Sequence, residues 1–243
     1  MKRALAAAAF LATLLGVSFW SYRAGLVRFN HPSYSTYPVR GVDVSHHQGR
    51  IDWVALRGAG MRFAYIKSSE GADHVDTEFA RNWAGARAAG VTRGAYHFFT
   101  FCSPGAAQAD HFASSVGGDF GELPPVADVE FVGNCKSFSS LEQVRLELRA
   151  FLVAVERLAG RRPLVYFTRE SLERVLAGSL DGYAAFPREL FGEPSDASAR
   201  WIFWQFADNG RLPGIKSRVD LDLFRGTPEE FDAFAQPHAS LGP

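Results

Sequence analysis

The sequence predicts an α/β fold, a modified TIM-like barrel of five β/α units followed by mostly β units, on three observations. From about residue 41 to residue 177, short apolar runs of strand length alternate with segments of helical period. Beyond that point the strand-like runs continue while only one helical segment remains. Polar side chains able to do chemistry gather at the carboxyl ends of the runs, where barrels of parallel strands build their sites.

The elements follow in order. Gly41 to Ser45 reads as the first strand, with a short helix from Trp53 to Gly58. Phe63 to Ser69 is a buried strand, and Phe79, Trp83 and Ala86 give a helix over Thr77 to Ala89. Arg93 to Phe99 is the third strand, Pro104 to Val116 a helix with proline near its start, and Pro124 to Phe131 the fourth strand. Ser139 and Glu142 form a capping box for a helix whose apolar face carries Val144, Leu148, Phe151, Leu152 and Val155, and Gly160 ends it. Leu164 to Thr168 is the fifth strand, with a helix near Glu170 to Ala177. Tyr183 to Leu190, Trp201 to Ala207 and Val219 to Phe224 are strands joined by loops, and a last helix lies near Pro228 to Phe234.

At 243 residues with 47% hydrophobic content the chain can bury the core of one large domain, which excludes a disordered polypeptide. Twenty-six basic residues balance 26 acidic ones, so bulk charge recruits neither nucleic acid nor an acidic surface. Met1-Lys2-Arg3 precedes an apolar run from Ala4 to Trp20, the charge order of an export signal or a membrane anchor. Roughly 17 residues give about 25 Å of helix, short of a ~30 Å hydrocarbon core unless Trp20 and Tyr22 sit at the interface. Gly16 and Ser18 offer a cleavage site. The expected organisation is residues 1–22 as membrane anchor or signal sequence, 23–38 as a linker with two prolines, 39–236 as the barrel and 237–243 as a tail. Both N-terminal readings put the barrel outside the cytoplasm, facing the periplasm from the inner membrane or secreted or periplasmic after cleavage. Cys102 and Cys135 suit that compartment as a disulfide closing a loop of about 33 residues, ~3–4 kcal/mol by chain entropy. Two buried thiols remain the alternative, and neither cysteine lies in a CxxC setting.

The sharpest local signal is Pro124-Pro125-Val126-Ala127-Asp128-Val129-Glu130, two carboxylates one residue apart in an apolar strand. Alternation puts both on one face with Cα atoms about 6.5–7 Å apart, and acids facing one cavity push each other's pKa values apart. Glycoside hydrolysis needs such a pair, one group to protonate the leaving oxygen and one to steady charge at the anomeric carbon. An acidic edge strand facing solvent would show the same motif. In a parallel barrel, however, the same rim collects Asp43, Lys67 with Glu70, Tyr96 with His97, Tyr166, Gln205 and Asp220.

Gly41-Val42-Asp43-Val44-Ser45-His46-His47-Gln48, Tyr65-Ile66-Lys67-Ser68-Ser69-Glu70-Gly71, Gly94-Ala95-Tyr96-His97-Phe98, Asp128-Val129-Glu130, Trp204-Gln205 and Val219-Asp220-Leu221 together resemble the family 25 glycoside hydrolases. The resemblance runs from about Val39 to Ala235. It implies a modified barrel and a lysozyme, an N-acetylmuramidase cutting the β-1,4 bond between N-acetylmuramic acid and N-acetylglucosamine. It implies Glu130 as general acid, Asp128 as the group that orients a substrate acting through its own acetamido group, and Asp43 and Asp220 as assisting carboxylates. Asp222 rivals Asp220 on the same strand face. Tyr96, His97, Lys67, Glu70, Tyr166, Trp204 and Gln205 are the expected substrate contacts, although aromatic strand residues also serve cores and Lys67 with Glu70 also reads as a structural ion pair. The expected partner is the peptidoglycan glycan strand, with no cofactor and no metal, and the expected state is a monomer with a single N-terminal anchor. The sequence departs from the family at Phe186-Pro187-Arg188, where a tryptophan is common, and in a lengthened segment around Cys135.

Three alternatives compete. A chitinase-like DxxDxDxE motif would need acids where Val126 and Leu123 stand. A metal-dependent deacetylase would need converging histidines, but His46, His47, His97 and His111 show neither HxxxH nor HExxH spacing. A noncatalytic peptidoglycan-binding protein would be expected to have lost a carboxylate, and Asp43, Asp128, Glu130 and Asp220 are all present.

Overall fold

The described residues form nine strands: β1 (Arg40–Val44), β2 (Met61–Glu70), β3 (His74–Val75), β4 (Thr92–Phe98), β5 (Val126–Val129), β6 (Leu164–Phe167), β7 (Ala184–Pro187), β8 (Phe203–Gly210) and β9 (Val219–Phe224). The helices are α1 (Lys2–Arg23), α2 (Trp53–Gly58), α3 (Phe79–Ala88), α4 (Gly105–Ser115), α5 (Leu141–Ala159), α6 (Arg169–Arg174) and α7 (Pro228–Phe234). This computed structural model describes residues 2–176, 180, 182–195 and 201–236. The expected tail at 237–243 and the end of the expected helix at Ala177 lie outside the described residues.

The strands stand in the order β7-β6-β5-β4-β2-β1-β9-β8, with β3 as an unforeseen antiparallel extension of β2. From β1 through β2, β4, β5 and β6 to β7 all pairs are parallel, as short strands separated by helices require. β8 to β9 is different. No described helix intervenes between them, so the chain returns antiparallel, and β9 then pairs antiparallel with β1. Parallel bridges Ala185↔Trp201 and Arg188↔Gln205 bring β7 to β8, so the sheet is a nearly closed barrel. β9 therefore runs against the other strands of the barrel.

α5 buries the five predicted residues, and Gly160 ends it in the left-handed region at φ 62°. Its N-cap is Ser140 rather than Ser139, with the side chain accepting from Gln143 N, so the predicted box to Glu142 is not the cap used. Val42, Val44, Ile66, Ala127 and Val165 point outward to this helical layer. Their neighbours Phe63, Tyr65, Tyr166, Phe186, Phe203 and Phe224 point into the barrel. Phe63 and Phe203 rings lie 4.9 Å apart and Tyr65 and Phe186 rings 5.5 Å apart, forming an aromatic plug. Gly41 makes room for it, because a Cβ there would stand 2.5 Å from the Phe63 ring.

The N-terminal apolar run is helical, yet among the described residues no helix is long and apolar enough to cross a membrane. The expected linker is fastened to the barrel. Asn209 Nδ2 donates to Tyr22 O at 2.8 Å and Val27 O at 2.9 Å. Arg40 donates to Pro32 O at 2.6 Å and lies 4.5 Å over the Tyr34 ring, while Tyr37 packs on Trp201 and Trp204.

Because Phe63 is fully buried among Tyr65, Phe203 and Phe231, it cannot yield to a new methyl group. Gly41→Ala is expected to cost about 1–3 kcal/mol of stability, read as a lower midpoint in urea unfolding.

Candidate active site

Alternation along β5 turns Val126 and Asp128 inward and Ala127 and Val129 outward. Glu130 follows directly, again facing in. Asp128 and Glu130 share a cavity of about 370 Å³ at the mouth of the barrel, open where the parallel strands end. Asp43 of β1 and Asp220 of β9 enter it as register partners. Asp220 arrives from the amino end of its strand, which the antiparallel pairing carries to the same rim. Asp222, two residues on, lies one step deeper, fully buried, with neither carboxyl oxygen hydrogen-bonded.

The other predicted contacts divide by parity. Lys67, Glu70, Tyr96, Tyr166 and Gln205 line the cavity. His97 and Trp204, each beside one of these on its strand, are turned to the outer layer. His97 bonds Ser69 Oγ at 2.9 Å and Gln108 Oε1 at 3.2 Å and stacks on Phe151, so burial pushes its pKa down to about 3. Trp204 donates from Nε1 to Glu189 O at 2.8 Å. Neither reaches the cleft, which corrects both as expected substrate contacts. Among the described residues no group of three or more His, Cys, Asp or Glu is placed to hold a metal; His46 pairs with Asp76 at 2.8 Å and His111 with the His74 carbonyl at 2.9 Å.

Sequence reasoning missed Ser45, His47, Gln48, Phe98, Val132 and Gly133 as wall residues. Val132 and Gly133 belong to the lengthened segment after β5. Two ties hold that segment. Cys102 and Cys135 form a disulfide across 33 residues, with Cα atoms 6.2 Å apart. Asn134 donates to Phe99 O and to Glu130 O, both at 2.9 Å, and accepts from Phe101 N at 2.9 Å. Asn134 thereby fixes the backbone of Glu130, a role with no sequence signal beyond its neighbouring cysteine.

Electrostatics follow from crowding in a dry mouth. Glu130 is pushed up to about 7, chiefly by burial, with Arg188 and Lys67 lowering it and Asp43 raising it. Asp128 is raised well above the usual carboxylate range by burial and by Glu130. Its Oδ1 is buried without a hydrogen-bond partner. Asp43 rises to about 6 through burial, opposed by bonds from Gln205 (2.7 Å to Oδ2) and Asp220. Asp220 is raised by burial and by Asp43. Tyr166 donates to Gln205 Oε1 at 3.0 Å, and Lys67 pairs with Glu70 at 2.7 Å while lying 4.9 Å from the Phe98 ring centre. The site can deliver a proton near neutral pH and hold a second carboxyl beside the reacting centre.

Residues 42–215 match the family model Glycosyl hydrolases family 25. The chain belongs to glycosyl hydrolase family 25. This member is 37% identical to Lysozyme M1 of Streptomyces globisporus over 219 residues, 82% of this chain and 72% of that protein. Its fold is similar to that of a family 25 glycosyl hydrolase from Bacillus anthracis, with a TM-score of 0.78, 33% identity, and coverage of 86% of this chain and 98% of the other. A bacterial lysozyme from Streptomyces coelicolor superposes with a TM-score of 0.74 at 32% identity, covering 83% and 98%. The family 25 chain is accordingly a glycoside hydrolase.

Asp222 has a stability consequence. Burial raises its pKa, so the folded state binds its proton more tightly than the unfolded state and stability falls as pH rises above the unfolded value of about 4. Asp222→Asn is expected to unfold at higher urea concentration than the parent at pH 8, with the gap closing towards pH 4.

Proposed function

We propose that this family 25 hydrolase is a lysozyme that cleaves the β-1,4 bond between N-acetylmuramic acid and N-acetylglucosamine in peptidoglycan, with Glu130 as general acid. The observation that carries the proposal is Glu130 kept protonated to about pH 7 beside Asp128 in the same cavity. In this reading Glu130 gives its proton to the departing sugar oxygen. Asp128 orients the acetamido group of the bound N-acetylmuramic acid, whose carbonyl oxygen attacks the anomeric carbon as the glycosidic bond breaks. Water then attacks the same carbon, returning one proton to Glu130 and restoring the acetamido group.

Asp43 and Asp220, hydrogen-bonded to one another, set with Gln205 and Tyr166 the polar floor on which the sugar rests. Tyr96 and Tyr166 give the apolar ring faces that sugars stack on. The substrate and the Cys102–Cys135 disulfide both favour action outside the cytoplasm. A noncatalytic wall-binding role is the second reading, and retention of all four carboxyls at one mouth argues against it.

The full chain is expected to release fragments ending in reducing N-acetylmuramic acid, read by mass spectrometry of peptidoglycan digests. Glu130→Gln should lower kcat at least ~100-fold, since the isostere keeps shape and loses the proton. The parent rate should fall as pH rises through about 7, where Glu130 deprotonates. A folded chain that binds walls without releasing fragments would establish the binding role instead.

A further inference from the structure

Arg188 stands where β7 meets β8. Its N–H donates to Phe167 O at 2.9 Å, and it forms a parallel bridge with Gln205, the residue that links Tyr166 to Asp43 on the cleft floor. Phe186 lines the cavity, and side chains two apart on a strand share a face, so Arg188 is turned to the same side as Phe186. Its charge acts on Glu130, Asp43 and Asp220.

The guanidinium is held from behind. Nη2 lies 2.7 Å from Asp208 Oδ2, and the Tyr22 hydroxyl, at the end of α1, donates to the other oxygen of Asp208. Asn209 grips the backbone of Tyr22 next door. Among the described residues this is the one side-chain hydrogen bond Arg188 makes, and its side chain remains 31% exposed. The other cation acting on Glu130, Lys67, is already paired with Glu70. A rigid planar fork with unused donors, beside a cleft lined with carboxyls, is suited to grip a planar anion, and carboxylates fit it in bidentate fashion.

We propose that Arg188, positioned by Asp208 and Tyr22, is a specificity-determining residue that binds a carboxylate of the glycan strand on the β7 side of the cleft. This rests on the peptidoglycan reading above. Such a strand carries carboxylates of two origins, the lactyl group of N-acetylmuramic acid when no peptide is attached and the stem peptide when one is. Tyr22 and Asp208 are positioning residues: they fix the fork and do not touch the strand.

The test is equilibrium binding by the full chain carrying Glu130→Gln, so that no strand is consumed. Three soluble strands of equal length serve as probes: peptide-free with lactyl carboxylates, peptide-free with those carboxylates converted to neutral amides, and peptide-bearing. At least one carboxylate strand is expected to bind about 10-fold more tightly than the amidated strand, about 1.4 kcal/mol. Preference for the free lactyl strand assigns the lactyl group, and preference for the peptide-bearing strand assigns the stem. Adding Arg188→Met should abolish the preference, Arg188→Lys should keep part of it, and Tyr22→Phe should weaken it with Arg188 intact. Equal affinity for all three strands, no binding to any, a preference that survives Arg188→Met, or an equal loss on all three strands would overturn the assignment. Absence of strand cleavage by the parent, with the binding preference intact, would count against the lysozyme reading alone. Should Arg188→Met fail to fold, Arg188→Lys and Tyr22→Phe carry the comparison.

Discussion

Five carboxyl groups, those of Asp43, Asp128, Glu130, Asp220 and Asp222, share the interior of one small barrel, and they cannot all be charged there. Each is raised by burial, and most by one another as well. Protons that would leave such groups in water are held more tightly, and Glu130 is pushed up to about 7. The aromatic plug below enforces the same constraint by excluding solvent from beneath the cluster. Lys67 and Arg188 oppose it and lower Glu130, so its value near 7 is a balance between a dry floor and two cations.

The architecture that makes this crowding possible is the change of strand direction in the last part of the chain. Six parallel strands alone would leave the barrel open on the β1 side. Returning β9 antiparallel along β1 sets Asp220 directly opposite Asp43, and β8 beside it delivers Gln205 to bond Asp43. The Cys102–Cys135 disulfide and the Asn134 bonds then tie the segment after β5 to the segment after β4. That tie holds Glu130 by its own carbonyl while Val132 and Gly133 form the wall above it.

The N-terminal segment joins this arrangement from outside. Tyr22, Phe29 and Phe191 rings stack at 5.0 and 5.1 Å, and Tyr37 covers Trp201 and Trp204. Residues before the barrel are thus part of its packed surface on the β8 side, and Tyr22 is connected through Asp208 to an arginine at the cleft. A stretch that reads as a linker from its prolines and lack of period gains order from its aromatic side chains, which have barrel surface to cover.

The sequence by itself determined every strand but β3, because periods of two and 3.6 are local consequences of backbone geometry, and it determined that Asp128 and Glu130 share a face, because regular alternation returns a side chain to the same side after one residue. It marked the rim through residue types at strand ends. It could not say which of two adjacent polar or aromatic residues faces inward: Tyr96 and Gln205 line the cleft while His97 and Trp204 pack outside, and the choice depends on register with neighbouring strands. Resemblance to the family ranked Asp220 above Asp222, but strand alternation could not, since both lie on one face and only the depth of the barrel separates them. Strand direction, the Asn134 clamp and the Tyr22–Asp208–Arg188 connection join residues between about 20 and 190 positions apart, and no local periodicity encodes such distances. Tertiary closure decided them, because only the nearly closed sheet brings segments so far apart in the chain side by side.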